Sequence, residues 1–249
     1  MSEILLEAHG LHKSFGAVLA TNNFSLALHR GHIHALIGPN GAGKTTLVNQ
    51  LSGDMDVDSG RILFRGRDIT RLKSPKRAQL GIARSFQITH IFDNLTVAEN
   101  MGLALCAGRV HNFRFWHHWQ QAASVRDNLS LALERVDLLH RAELVAHHLS
   151  HGEKRQLEVG MALVGKPELL ILDEPMAGLG PGGTVELTKL IRKQKGQVTI
   201  LLVEHDMDVV FSLADRVTVL VYGENIATGT PEEIRHNPLV RKAYLGEGD

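Results

Sequence analysis

Cysteine is almost missing from this chain: Cys106 stands alone among 249 residues. An internal disulfide framework is thereby excluded, and a reducing compartment fits. Net charge is missing as well. The 27 Lys and Arg balance the 27 Asp and Glu, so no overall field draws the chain to nucleic acid or to an anionic membrane. Long apolar runs are absent too. Stretches such as "LLIL" (169–172) and "TILLV" (199–203) fall far short of the ~20 residues that span a bilayer. The opening "MSEILLEAHG" lacks the basic-then-apolar order of a signal peptide, and there is no internal repeat or low-complexity linker. The expectation is a soluble intracellular protein, with any membrane role exercised through partners. Its length suffices for one large domain or two small ones.

What is present points to an α/β core with a mostly parallel sheet, because short apolar runs alternate with helical patterns. The first 35 or so residues differ. "ILLEAHGL", "NFSLALHR" and "HIHALIG" read as strands separated by turns, the second and third joined at Arg30-Gly31, and a further strand pair sits near "RILFRGRDI". Helix starts are well marked. Ser74-Pro75 supplies a cap and a proline at the first helical position. Thr96 with Glu99, Ser150 with Glu153, and Thr230 with Glu233 have the spacing of capping boxes. Helical patterns dominate from about Leu95 to Val164, interrupted by "AGRVHNFRFWHHW". The expected organisation is a single domain over 1–249. It has a β-subdomain at about 1–35 and 60–70, a helical subdomain at about 90–160, a C-terminal helical tail at 230–249, and the α/β core in the remainder.

The chemistry begins at "LIGPNGAGKTT", which follows the apolar strand 33–37 and opens a helix. It matches G-x-x-x-x-G-K-[ST] in the strand–loop–helix context that this phosphate loop requires. Gly38, Pro39, Asn40, Gly41, Ala42, Gly43, Lys44, Thr45 and Thr46 are the candidate nucleotide-binding residues. Glycines let backbone N–H groups curl around phosphate oxygens, and the helix N-terminus adds partial positive charge. Lys44 is expected to reach the β- and γ-phosphates of ATP, and Thr45 to ligate Mg²⁺. "ELLILDEP" (168–175) reads as a buried parallel strand delivering Asp173 at its C-terminal edge. Asp173 would hold Mg²⁺, and Glu174 would orient the attacking water. "ILLVEHDM" (200–207) repeats the pattern with Glu204, His205 and Asp206. On that segment alone an ordinary surface histidine is the favoured reading of His205, and Gln87 in "ARSFQITH" says almost nothing by itself.

Taken in order, these segments resemble the ATPase subunit of an ATP-binding cassette transporter, over essentially the whole chain. "GPNGAGKTT" resembles the family's Walker A motif, Gln87 its Q-loop, "LSHGEKRQ" its signature, "LLILDE" its Walker B and His205 its switch histidine. The resemblance implies a P-loop NTPase (RecA-like) α/β fold with an N-terminal antiparallel β-subdomain and a helical insertion. It makes Gln87 and His205 catalytic candidates beside Glu174, and adds Gln87 to Thr45 and Asp173 as a Mg²⁺ residue. It implies head-to-tail pairing with a second ATPase subunit, the same or a paralogous chain. Ser150 and Gly152 of one subunit would then contact ATP in the other, which would explain the helix-weakening glycine at 152. Phe15, in "KSFG", takes the place of the ring that stacks on adenine; a core residue is the alternative.

Two departures accompany the match. His151 and Glu153 stand where the commonest signature has glycine and glutamine, and "MAGLGP" places Gly180 where an aspartate is usual. The tail "GTPEEIRHNPLVRKAYLGE" and the insertion around 107–120 resemble the branched-chain amino acid importers and their urea, amide and aromatic-acid relatives. The implied partners are two transmembrane permease subunits and, indirectly, a periplasmic or extracellular solute-binding protein. The implied location is the cytoplasmic face of the inner or plasma membrane, and nucleic acid is not expected as a partner. A soluble cassette ATPase would carry two cassettes or a long coiled-coil insertion; a kinase or nucleotide switch would leave the signature unexplained. "HNFRFWHHWQQ" (111–121) offers His111, His117 and His118 without a carboxylate or cysteine to complete a metal site. It reads as a surface packing on the permease or near its membrane interface, or equally as ordinary helix packing. Cys106 reads as core filler.

Overall fold

The alternating N-terminal pattern folds as a hairpin of two twelve-residue strands, β1 (Ile4–Phe15) and β2 (Val18–His29). The computed structural model describes residues 3–85, 91–107 and 123–245. After a turn at residues 30–32 come β3 (Ile33–Ile37), α1 (Lys44–Ser52), β4 (Ser59–Phe64), β5 (Arg67–Asp68), α2 (Ser74–Gln79) and β6 (Ile82–Arg84). A helical stretch follows, with α3 (Val97–Ala107), α4 (Ala123–Arg135) and α5 (His151–Val164). β7 (Leu169–Asp173), α6 (Pro181–Lys193), β8 (Thr199–Val203) and α7 (Met207–Leu213) then alternate. The C-terminal portion adds β9 (Arg216–Val221), β10 (Glu224–Gly229), α8 (Pro231–Arg235) and α9 (Pro238–Leu245). Among the described residues no helix is long and apolar enough to cross a membrane.

The chain divides into two units, the first of residues 1–84, 168–175 and 194–249. Its antiparallel sheet runs in the order β2-β1-β4-β5, and its six-stranded sheet in the order β10-β9-β3-β8-β7-β6. Every pair in the larger sheet is parallel except β10 with β9. β3, β7 and β8 expose nothing, as strands covered on both faces must. Successive residues feed opposite cores. Leu36 and Leu220 join Leu47 and Leu51 of α1 and Phe24, Ile62 and Phe64 of the antiparallel sheet. Ala35, Ile37, Val217 and Val219 join Val210, Ile234 and Val240 of the C-terminal helices, the period-2 alternation of a pleated strand.

Charge is also buried in this unit. Arg77 is buried and donates to the carbonyls of Gln50, Leu51, Thr70 and Leu72 at 2.7–3.0 Å. Two of these end α1, where a cation offsets the negative end of the helix. Burial pulls the Arg77 pKa down to about 10. The expected Ser74 cap takes a different form. Ser74 is the first residue of α2, and Lys73, at the cap position, makes no side-chain capping bond. Ser74 thus lies inside the first turn, its amide donating to Gly53 O and its hydroxyl bonding Asp54.

The second unit comprises residues 85–167 and 176–193. Capping boxes start two of its helices: Thr96 and Glu99 exchange bonds of 2.8 and 3.1 Å, and Ser150 and Glu153 bonds of 2.8 and 3.2 Å. A Cβ on Gly160 of α5 would stand 2.8 Å from Met101 and 2.9 Å from Val136, so α5 meets its neighbours without side-chain clearance there. Cys106 is half-buried on α3 rather than fully in the core. The aromatic stretch 111–121, with His111, His117 and His118, lies outside the described residues.

β3 also buries a titratable ring. His34 Nε2 lies 2.8 Å from Thr218 Oγ1, itself 2.8 Å from Thr228 Oγ1. Burial, helped by Arg216, His29 and His32, pushes the His34 pKa down to about 3. The folded chain therefore keeps this ring neutral where the unfolded chain protonates it, and stability falls as pH drops below the unfolded value of ~6.5. The slope from this residue is at most about 1.4 kcal/mol per pH unit. Urea titrations at several pH values between 7.5 and 5 should show the native chain losing stability more steeply than His34→Gln; equal slopes would contradict this account.

Candidate functional site

β3, β8 and β7 lie side by side and parallel. Their C-terminal ends deliver the segments 38–43, 204–206 and 173–174 to one edge of the sheet, where open α/β sheets hold ligands. The loop Gly38–Gly43 is shaped by what surrounds it. A Cβ on Gly38 would stand 2.2 Å from Leu220 O, and one on Gly43 would stand 2.1 Å from Ala20 O. Gly43 also has φ +103°. Gly41 has φ +78° with nothing within 4 Å of its Cβ position, so glycine is needed there for backbone freedom alone. From the far side Gly223 N donates to Ala42 O at 2.9 Å.

Lys44 is buried, and its Nζ donates to Gly38 O at 2.7 Å and to Pro39 O at 3.1 Å. Burial lowers its pKa, opposed by the charges of Glu174 and Asp173. No side chain caps the start of α1, and Asn40, Gly41 and Thr45 are exposed beside it. An uncapped helix start of this kind, a curled glycine loop and an ammonium suit a polyphosphate. The Thr45 hydroxyl and the Asp173 carboxylate are hard oxygen donors of the type that Mg²⁺ takes.

Asp173 ends β7 and is 3% exposed. Burial raises its pKa, while the charge and hydrogen bond of Arg84 work the other way. Arg84 was not singled out from sequence, because an arginine on a three-residue strand looks like surface. Its guanidinium donates to Asp173 Oδ2 at 3.0 Å, Asn49 Oδ1 at 2.6 Å and Asp54 Oδ2 at 3.0 Å. Arg84 thereby ties β7 to α1. The acceptors lie far away in sequence, so no local spacing marks this contact.

Glu174 takes φ +48°, an uncommon conformation for a residue with a side chain, and its amide donates to Val203 O at 2.9 Å. Strain of this kind concentrates at functional sites. After β8, Glu204 is fully buried and accepts from the His205 amide at 3.2 Å, while the His205 ring is 64% exposed. Asp206 caps α7. Phe15 is 48% exposed at the tip of the β1–β2 hairpin, with Lys13 Nζ 5.6 Å from its ring centre. The core alternative for Phe15 is therefore set aside. The strand that follows this tip brings Ala20 to Gly43. Gln87 lies outside the described residues.

Ser150 and Gly152 belong to the second unit. Ser150 is exposed and caps α5, its hydroxyl accepting from Glu153 N. Burial raises the Glu153 pKa, but bonds from Ser150 and the Arg141 ion pair outweigh it and leave the carboxyl below its ordinary value. Gly152 has a neighbour within the chain: its Cβ position lies 3.3 Å from Gly183 Cα. Close packing on α6 is thus sufficient reason for a glycine there. Among the described residues no cluster of three or more His, Cys, Asp or Glu could hold a metal ion.

Comparison with known proteins agrees with this geometry. Residues 21–177 match the profile of the family described as ABC transporter, and residues 224–249 that of the branched-chain amino acid ATP-binding cassette transporter. The chain is 42% identical to the high-affinity branched-chain amino acid transport ATP-binding protein LivG of Escherichia coli, covering 99% of this chain and 100% of that one. It is 40% identical to BraF of Pseudomonas aeruginosa, a protein of the same description, with the same coverage. A crystal structure of the ADP conformation of an ATP-binding cassette of an ABC transporter superposes with a TM-score of 0.86 at 29% identity, covering 99% of this chain and 100% of that one. A nucleotide-free cassette from an ABC transporter gives 0.84 at 29% identity, covering 98% and 100%.

Two tests follow from the geometry. Gly43→Ala should weaken binding of a fluorescent ATP analogue at least about tenfold, because a backbone carbonyl must move, whereas Gly41→Ala costs only about 1 kcal/mol of backbone strain. Equal effects would show that Ala20 O does not constrain the loop. Arg84→Met should lower stability to urea by about 3 kcal/mol, since a buried carboxylate loses its cation, with Arg84→Lys recovering only part. A loss below about 1 kcal/mol would place the pair among weak surface bridges.

Proposed function

Because this chain belongs to the ABC transporter family of ATP-binding cassettes, we propose that it is the ATP-hydrolysing subunit of an importer for a small solute. The solute class is branched-chain or other amino acids, or a related amide or organic acid. The tail match at 224–249 and the two named relatives support that class. The observation that carries the catalytic reading is the meeting of the glycine loop, Asp173–Glu174 and Glu204–His205 at one edge of a parallel sheet.

In this reading the β-subdomain, at about 1–35 and 60–70, presents Phe15 to adenine. Residues 38–46 hold the phosphates through backbone N–H groups, and Lys44 leaves its two loop carbonyls for the β- and γ-oxygens. Thr45, Asp173 and Gln87 are the residues that would hold Mg²⁺, which supplies neutralising charge to the phosphate oxygens when bound. Glu174 accepts the proton of the attacking water, and His205 bonds the γ-phosphate. The helical subdomain, at about 90–160, brings Ser150 and the N-terminus of α5 to ATP held by a second cassette, the same or a paralogous chain. Closure of the pair would then drive two permease subunits at the cytoplasmic face of the membrane, fed by a solute-binding protein.

The experiment is size-exclusion chromatography of Glu174→Gln with and without ATP. The substitution should lower kcat by about 10²-fold or more while ATP still binds. We expect ATP to move the protein from one chain to two, and Ser150→Arg to abolish the shift. Pairing that survives Ser150→Arg would overturn the contact across subunits. If the protein stays single, the partner must be a paralogous ATPase, and failure to pair with the neighbouring-gene paralogue as well would overturn the reading.

A further inference from the structure

The first turn of α5 and the segment 176–183 lie in the same unit and meet glycine to glycine. A Cβ on Gly183 would stand 3.6 Å from Gly152 Cα, the reciprocal of the 3.3 Å approach already described. One residue earlier in α5, the His151 ring lies against Gly178. A Cβ at 178 would fall 3.3 Å from Nε2 and 3.7 Å from Cδ2. Gly178 also has φ +74°, so both the backbone conformation and the ring favour glycine there. The loop itself is a tight turn, with Leu179 N donating to Met176 O at 3.1 Å and Thr184 N to Gly180 O at 3.0 Å.

These are the two places at which the chain departs from the commonest cassette motifs. A ring stands at 151 where glycine is usual, and the loop after Walker B reads "MAGLGP". The ring has its place because position 178 carries no side chain, and the loop gains a lateral support that a glycine at 151 could not provide. The departures fit each other.

We propose that His151 is a positioning residue that pins the 176–180 loop to the first turn of α5. A contact made at Ser150 is thereby passed to the chain leaving Asp173 and Glu174. The relay rests on the reading of Ser150 as facing the partner's nucleotide; the pin does not. Ser150 is the cap of the helix whose first residue is His151, so the two side chains move with one rigid turn. Loop and helix start then respond together, with no charged side chain at 180.

The test uses the full chain with His151→Gly, His151→Gln, Gly178→Ala and the double variant His151→Gly/Gly178→Ala. Hydrogen–deuterium exchange across 176–183, without nucleotide, reads the pin, and steady-state ATPase kinetics read the relay. We expect His151→Gly to speed exchange severalfold and to lower kcat about tenfold while KM for ATP stays within about twofold. His151→Gln, whose amide reaches the same position, should restore most of both. Gly178→Ala should lower kcat alone and add less to His151→Gly than it costs by itself, because only its backbone strain at φ +74° then remains. Native exchange in His151→Gly overturns the pin, and fast exchange with native kcat overturns the relay. Pairing of Glu174→Gln that survives Ser150→Arg overturns the partner-facing reading separately, because the exchange result judges the pin independently of it.

Discussion

The nucleotide loop depends on two backbone carbonyls. Ala20 O and Leu220 O sit at the places where side chains on Gly43 and Gly38 would begin. A loop that must curl its N–H groups around a polyphosphate cannot also be bulky, and here its glycines are held from both sides by chain remote in sequence. The β1–β2 hairpin and the β9–β10 turn are therefore parts of the site. Asn22 N donates to Gly223 O, and Gly223 N to Ala42 O, each at 2.9 Å, joining hairpin, turn and loop through main chain alone.

Charge is managed around that scaffold. Burial opposes the ionised forms of both Lys44 and Asp173, and each is supported by opposite charge: Lys44 by Glu174 and Asp173, and Asp173 by Arg84. Arg84 in turn is held by Asn49 and Asp54. Such a set is strongly coupled, and its members are costly to remove singly, because each leaves a desolvated partner behind. Glu174 adds backbone strain at the same edge. Burial, charge and backbone strain thus meet at one edge of the sheet, a combination that marks a candidate site.

Much of this was legible in sequence, for physical reasons that differ by segment. "ELLILDEP" announces a buried strand by its apolar run, "HIHALIGPNGAGKTT" a strand leading into a glycine loop, and the residues that follow each announce phosphate chemistry by fixed spacing. Capping boxes at Thr96, Ser150 and Thr230 are local and were visible as such. Arg77, Arg84 and His34 were not, because their partners come from other elements: Gln50 and Leu51, Asp173, and Thr218. Gly152 has a neighbour that spacing did not show. A close approach was foreseen correctly, but Gly183 of the same chain already supplies one. Ser74 looked like a cap, yet the helix starts one residue earlier, with Ser74 as its first residue and Lys73 at the cap position.

The strand order carries a consequence for how the protein is made. β3 leads straight into the phosphate loop, yet its two neighbours are β8, with Ile33 opposite Ile200, and β9, with Ala35 opposite Val217. At typical synthesis speeds the ribosome needs roughly 10 to 30 s to add the intervening stretch. During that interval the N-terminal hairpin and β4 can pair, but the strand beside the glycine loop has no sheet to join, and Leu220 O is not there to press on Gly38. The nascent chain thus lacks, until β8 and β9 emerge, contacts that shape the glycine loop in the finished fold. It also leaves β3, buried at every position in the finished sheet, without its neighbours over that interval, which makes it a segment a chaperone would have to shield.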